Sequence, residues 1–208
     1  MKLQILATLS ALMLSACGRD QSKDAAKEQP IPVPEVYRVH FETTKGDFVV
    51  EVTRAWAPRG ADRFHELVRW KFFDGAHFFR VVPRFIVQFG LKGVPATDRH
   101  WSQLSIPDDP VTQNNAKATI TYAMSGPASR TTQVFINLQD NFFLDKKGFA
   151  PFGKVVAGMD IVEQLHKGYG DAPPNGVGPE QSRIRAEGNE YLDRYFERLD
   201  SIKKAAIE

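Results

Sequence analysis

From Val36 onward the chain repeatedly sets apolar side chains at every second position, in runs too short for helices and separated by Gly- and Pro-rich turns. Tyr37, Val39 and Phe41 share one face of the first run; Phe48, Val50 and Val52 share one face of the next, after a turn at Lys45-Gly46. Successive side chains of a strand point to opposite faces, so this pattern predicts a hairpin with one buried side. Further β-type runs follow as HFFRVV, FIVQFG, TITYAM, QVFINL and FGKVV, and Ser201 to Ile207 is expected to be a closing strand. Helices are expected at Pro58 to about Phe72, where Ala61, Phe64, Leu67 and Val68 form one stripe, and at about Gly158 to His166. A third is expected at Glu190 to Leu199, with Tyr191, Leu192, Tyr195, Phe196 and Leu199 at helical spacing. Many short strands with few helices predict a barrel or sandwich rather than alternating βαβ units. Two stretches, Leu91 to Ala118 and Lys167 to Ser182, read as long loops, and loops of that length in a compact domain carry function or line a site.

Composition narrows the partners. Twenty-seven Lys and Arg against 25 Asp and Glu leave a net charge of +2, so no nucleic acid is expected to bind. Hydrophobic residues at 42% and 15 phenylalanines suffice for a packed core and exclude a disordered chain.

The one cysteine cannot close an internal disulfide. Cys17 follows Lys2 and the apolar run Leu3 to Leu14, too short to span a bilayer but of the length of a signal-peptide core. Leu14 to Cys17, LSAC, resembles a bacterial lipobox, which implies cleavage before Cys17 and lipidation of that residue. Stable anchoring takes more than one acyl chain, and the resemblance implies three. Gly18 to Glu35, with no aromatic residue and with Pro30, Pro32 and Pro34, reads as an extended tether. The expected organisation is a signal peptide over 1–16, a lipidated Cys17 and tether over 17–35, and a domain over 36–208. The location implied is the cell envelope, membrane-anchored in the periplasm, and the outer membrane in a Gram-negative cell because Gly18 rather than Asp follows Cys17.

Common catalytic signatures are absent. GFAPFGKV, Gly148 to Val155, has Val155 where a phosphate loop needs a magnesium-ligating hydroxyl. His40, His65, His77, His100 and His166 show no metal-ligand spacing, and no nucleophile elbow occurs. Neither a metal nor an organic cofactor is expected.

Three blocks in order carry a family likeness. FFRVVPRFIVQFG (Phe78 to Gly90), YAMSGPASRTTQVFIN (Tyr122 to Asn137) and FLDKKGFAPFGKVVAGMDIVEQL (Phe143 to Leu165) resemble the cyclophilin peptidyl-prolyl isomerases. The resemblance covers about Val36 to Leu165. It implies a mainly β fold, a closed eight-stranded antiparallel barrel capped by two α-helices, here with a short C-terminal helix added, and a site in a surface groove. It also implies that Arg80 is the catalytic donor, that Phe85 lines the proline pocket, and that Gln88 bonds substrate backbone and steadies Arg80. Ile86, Phe135 and Leu144 are implied as further pocket lining, Ala123 and Met124 as sources of main-chain groups, and Gln133, Phe143 and Phe149 as further peptide contacts. The implied partners are proline-containing peptides and unfolded or folding proteins, met by a monomer.

The chemistry suits these residue types. The X-Pro bond turns over a barrier of ~18–20 kcal/mol without any bond being broken. An apolar pocket for the ring and a permanent donor for the prolyl nitrogen are what a twisted amide needs. Arg84 stands where the family commonly has Gly, Phe143 where many eukaryotic members have Trp and Phe149 where they have His; the resemblance puts Phe143 and Phe149 at the groove edge, where they bear on drug binding and substrate preference more than on catalysis. A non-catalytic proline-peptide binding module or chaperone on the same barrel is the alternative, and Arg80 with Gln88 favours the enzyme.

Overall fold

The computed structural model describes residues 32–208. The expected signal peptide, Cys17 and most of the tether lie outside the described residues. Val33, at the end of the expected tether, packs against the core. The hairpin is formed by β1 (Val36–Thr43) and β2 (Asp47–Thr53), with Val39 opposite Val50 and Phe41 opposite Phe48. The Phe41 and Phe48 rings stack at 4.7 Å, a cross-strand pair that fixes the register. Gly46, at φ +138°, makes the turn.

Helix α1 (Pro58–Arg69) starts on Pro58 and buries Ala61, Phe64, Leu67 and Val68 as the stripe requires. Its own N-cap side chain makes no bond. Asp109 instead accepts the Arg59 N–H at 3.1 Å and the Gly60 N–H at 2.9 Å. The helix stops three residues short of Phe72 because Lys71 turns left-handed (φ +52°) while the Lys71 and Phe72 N–H groups bond back to Val68 and Leu67. That is a Schellman ending, and it carries Phe72 into the core.

Strands β3 (Arg80–Val82) and β4 (Ile86–Phe89) form a second hairpin. Helix α2 (Pro95–Ser102) then occupies part of the stretch read as loop. It escaped notice because Asp98, not an apolar side chain, is its buried residue: the carboxylate accepts the Lys92 and Gly93 N–H groups at 2.7 and 2.9 Å. Strands β5 (Thr119–Tyr122), β6 (Val134–Asn137) and β7 (Pro151–Ala157) follow, then helices α3 (Met159–Gln164), α4 (Gln181–Glu187) and α5 (Asn189–Tyr195), and finally β8 (Ile202–Ile207). The expected C-terminal helix is thus shorter than its sequence pattern: it ends before Phe196, and Tyr195 is exposed beside Arg183 rather than in the stripe.

All eight strands form one antiparallel sheet in the order β3-β4-β6-β5-β7-β2-β1-β8. The sheet curls until its two ends meet. Just before β3, Gly75 and Phe78 donate to Ile202 and Asp200 (2.7 and 3.0 Å) and Ile202 donates back to Ala76 (2.9 Å), around a bridge between His77 and Ser201. The seam of the expected barrel is therefore short, made by residues flanking the edge strands. Phe41, Phe48, Phe64, Phe73, Phe78, Phe89 and Phe152 fill the interior, none more than 1% exposed. A lumen so packed has no room for a ligand, so any site must lie outside it. A second apolar cluster, Phe79 and Leu91 with Ile184, Tyr191, Leu192 and Leu199, docks the C-terminal helices on the barrel's exterior.

Candidate active site

Outside the core stands a third, small apolar cluster: Ile86, Phe135 and Leu144, with Phe85, Ala123 and Phe149 against it. Ile86 and Phe135 come from the neighbouring strands β4 and β6, whereas Leu144 and Phe149 come from a 3-10 turn (Phe142–Lys147) and its exit. Phe149 meets Phe135 edge to face at 5.7 Å, and Phe143 stacks on Phe85 at 6.1 Å at the rim, about half exposed. Met124 approaches the same turn, its Cε 3.4 Å from where a Cβ on Gly148 would sit.

The Arg80 guanidinium borders this cluster. Arg80 on β3 pairs across the hairpin with Gln88 on β4, which is paired in turn with Phe135 on β6. Arg80 Nη1 donates to Gln88 Oε1 at 3.0 Å, and Gln88 Nε2 donates to Gln133 Oε1 at 2.8 Å. The guanidinium carbon lies 5.6 Å from the centre of the Phe85 ring. Asp171, from the Gly- and Pro-rich loop, closes the far side: Arg80 Nε donates to Oδ1 at 2.8 Å and Nη2 to Oδ2 at 2.7 Å. Hydrogen bonding from Arg80 holds the Asp171 carboxyl below its ordinary value.

Behind the cluster lies a buried amide network. Asn115 Nδ2 donates to Asp145 Oδ1 and to the Phe149 carbonyl, both at 2.8 Å, while Asn115 Oδ1 accepts from Thr121 Oγ1 at 2.9 Å. Asn141 Nδ2 donates to the Phe85 carbonyl at 3.0 Å and to Asn137 Oδ1 at 2.8 Å. The main chains carrying Phe85 and Phe149 are thereby pinned from within the protein. Asn115, Thr121, Asn137 and Asn141 are all fully buried, so these bonds are made away from water.

Arg80, Gln88, Phe85, Ile86, Ala123, Met124, Gln133, Phe135, Phe143, Leu144 and Phe149 thus lie in or beside this one cluster. A family model described as cyclophilin type peptidyl-prolyl cis-trans isomerase/CLD matches residues 38–185. The chain belongs to the cyclophilin family. A peptidyl-prolyl cis-trans isomerase of Acinetobacter baylyi is 34% identical over 134 residues, 61% of this chain and 70% of that one. One from Streptomyces antibioticus is 31% identical over 163 residues, covering 70% of this chain and 97% of its own. In fold, the chain is similar to a cyclophilin type peptidyl-prolyl cis-trans isomerase of Cryptosporidium parvum solved in the presence of the dipeptide Ala-Pro. The TM-score is 0.61 at 17% identity, covering 82% of this chain and 98% of that one. The protein is accordingly a peptidyl-prolyl isomerase with a mainly β cyclophilin fold.

Within this cyclophilin, two expected groups are partly engaged by the protein itself. The Ala123 N–H is bonded to the Gln133 carbonyl at 2.9 Å. The buried Gln88 amide is tied to Arg80 and Gln133, which suits it to steadying Arg80 more than to reaching substrate. Sequence reasoning missed Asp171 and the amide network. Asp171 did leave a signal: it is the one charged residue between Gly168 and Pro179. Asn115, Asn137 and Asn141 left none, because isolated asparagines in turns are ordinary. Among the described residues no three His, Cys, Asp or Glu converge to hold a metal ion.

Proposed function

We propose that X-Pro isomerisation takes place over Ile86, Phe135 and Leu144, with Arg80 donating to the prolyl nitrogen. The observation that carries this reading is one half-buried guanidinium, held on two sides, at the edge of an apolar cluster that the core does not use. Phe135 and Phe149 supply a dry aromatic floor for the pyrrolidine ring, and Phe85 lies between that floor and Arg80. As the amide twists, resonance is lost and the nitrogen lone pair becomes an acceptor, so the Arg80 bond exists mainly in the transition state. Raising a rate from ~10⁻² to ~10³ s⁻¹ takes about 7 kcal/mol, whereas one bond to a charged group supplies ~1.5–3. Desolvation and positioning by the aromatic wall supply the rest.

The test is exchange spectroscopy on a proline peptide, which reads binding and turnover together. Arg80→Ala is expected to lower kcat/KM at least about tenfold with peptide affinity nearly kept. Phe135→Ala is expected to weaken affinity as well. A folded Arg80→Ala protein that isomerises at the wild-type rate removes Arg80 from the reaction.

The cell-envelope setting is part of the same proposal: a monomer, lipidated at Cys17 and membrane-anchored, that works on unfolded or folding proteins. LSAC and the proline-containing stretch after it support this reading. Cys17→Ser should release the protein from the membrane fraction with its domain folded. Wild-type protein recovered soluble and without lipid by mass spectrometry would sink the idea.

A further inference from the structure

An arginine side chain has many rotamers to lose, and one bond to Gln88 leaves its guanidinium plane free to swing about that contact. Asp171 removes this freedom by binding two nitrogens at once. Of the five N–H groups of Arg80, Asp171 takes the one on Nε and one on Nη2, and Gln88 takes one on Nη1. One N–H therefore remains on each terminal nitrogen, in a plane fixed from two sides.

The loop is built to hold that carboxylate still. Oδ1 also accepts the N–H of Ala172 at 2.8 Å, and the Asp171 carbonyl accepts the N–H of Gly178 at 2.8 Å. A Cβ at position 176 would lie 2.2 Å from the Asp171 carbonyl oxygen, so glycine is required there. Val177 donates back to Tyr169 at 3.2 Å, and the Tyr169 ring packs edge to face on Phe196, 5.1 Å away, at the margin of the second apolar cluster. Asp171 is thus tied through its loop to the docked C-terminal helices and does not wander on a free tip.

We propose that Asp171 is a positioning residue for isomerisation, clamping Arg80 so that its two free N–H groups are already aligned for the prolyl nitrogen when a peptide arrives. The proposal rests on the reading of Arg80 as the donor. A misoriented donor costs little when the ground-state peptide binds and much when the amide twists, because only the twisted nitrogen accepts its bond. The alternative, that the carboxylate merely braces the loop, predicts equal effects on binding and on turnover.

The experiment uses the full chain and compares Asp171→Asn, Asp171→Glu, Arg80→Ala and the Arg80→Ala/Asp171→Asn double variant. Each is assayed for kcat/KM and for peptide Kd by exchange spectroscopy, with the Arg80 Nε–H resonance as a local probe. Asp171→Asn should lower kcat/KM about tenfold with Kd changed less than about twofold, and should shift the Nε–H signal. Asp171→Glu, which keeps the charge, should recover part of the rate. On the Arg80→Ala background Asp171→Asn should have no further effect. The proposal is overturned if Asp171→Asn turns over as fast as wild type or faster, if it loses affinity in step with rate, or if it still slows the Arg80→Ala protein. Arg80→Ala retaining the wild-type rate would overturn the donor reading, and the clamp with it; a slow Arg80→Ala beside a normal Asp171→Asn overturns the clamp alone.

Discussion

Phe143 lies nearly parallel to Phe85, their ring centres 6.1 Å apart and their planes 19° from each other. The stack extends the aromatic wall of the groove onto the 3-10 turn. On its way out to solvent it is met by Lys147, whose Nζ is 5.3 Å from the Phe143 ring centre. The rim therefore presents carbon faces and a cation, without the N–H donor that an indole would place there.

Inhibition by cyclosporin should accordingly be weak. A drug carbonyl buried at this edge without a donor costs about 1–3 kcal/mol. Phe143→Trp should tighten inhibition about tenfold or more, read from inhibition constants of the two proteins. Equal constants would show that the rim at Phe143 does not touch the drug.

Asn115 is the hub of the buried network, so Asn115→Ala orphans several partners at once. Each buried group left without a bond costs about 1–3 kcal/mol, and a total loss of about 3 kcal/mol is expected by denaturant unfolding. Because the Phe149 carbonyl loses its anchor, affinity for a proline peptide should fall as well. A variant within about 0.5 kcal/mol of wild type would mean that the network contributes shape but not stability.

Arg84 sits at φ +57° in the turn where Phe85 donates to the Val82 carbonyl at 3.0 Å. A side chain in left-handed backbone costs about 1–2 kcal/mol, partly offset by the extra unfolded-state freedom of glycine. Arg84→Gly should therefore raise stability by about 0.5–1 kcal/mol, or ~1–4 °C in Tm by calorimetry. An unchanged or lower Tm would show that Arg84 gains from contacts what its backbone loses.

His65, packed edge to face against Tyr37 at 5.1 Å, has its pKa lowered below the usual 6.5, chiefly by burial and then by Arg69. His77 is lowered by burial too. With the folded values depressed, the unfolded chain binds more protons, so stability is complete above pH 6.5 and declines as pH falls below it toward the folded values. His65→Gln should flatten that decline in a series of melts. A wild-type Tm that rises on acidification through this window would contradict the assignment.

The side-by-side placement of Arg80, Gln88 and Phe135 was legible because they sit at fixed short offsets within strands: Arg80 and Gln88 face each other across a tight hairpin, and Phe135 is the next registered partner. The first hairpin and the stripe of α1 were legible for the same reason, since local periodicity carries them. What escaped is what distant residues do for one another. Asp171 reaches Arg80 across 91 residues, and Asp109 caps α1 from 50 residues away, so neither leaves a periodic trace. Helix α2 was hidden because its inward position is an aspartate serving backbone N–H groups, and Tyr195 was misplaced because α5 unwinds one residue later.

The seam sets an order of events for the growing chain. Thr44 Oγ1 donates to Asp200 Oδ1 at 2.8 Å across 156 residues, and β8 completes both the edge of β1 and the contact ahead of β3. Until β8 has been made, the fold has two raw margins with unsatisfied backbone, and bringing them together carries the loop-closure cost of almost the whole domain. This prolyl isomerase is thus itself a late closer, and a chain without β8 would be an open half-shell with a bare β1 edge.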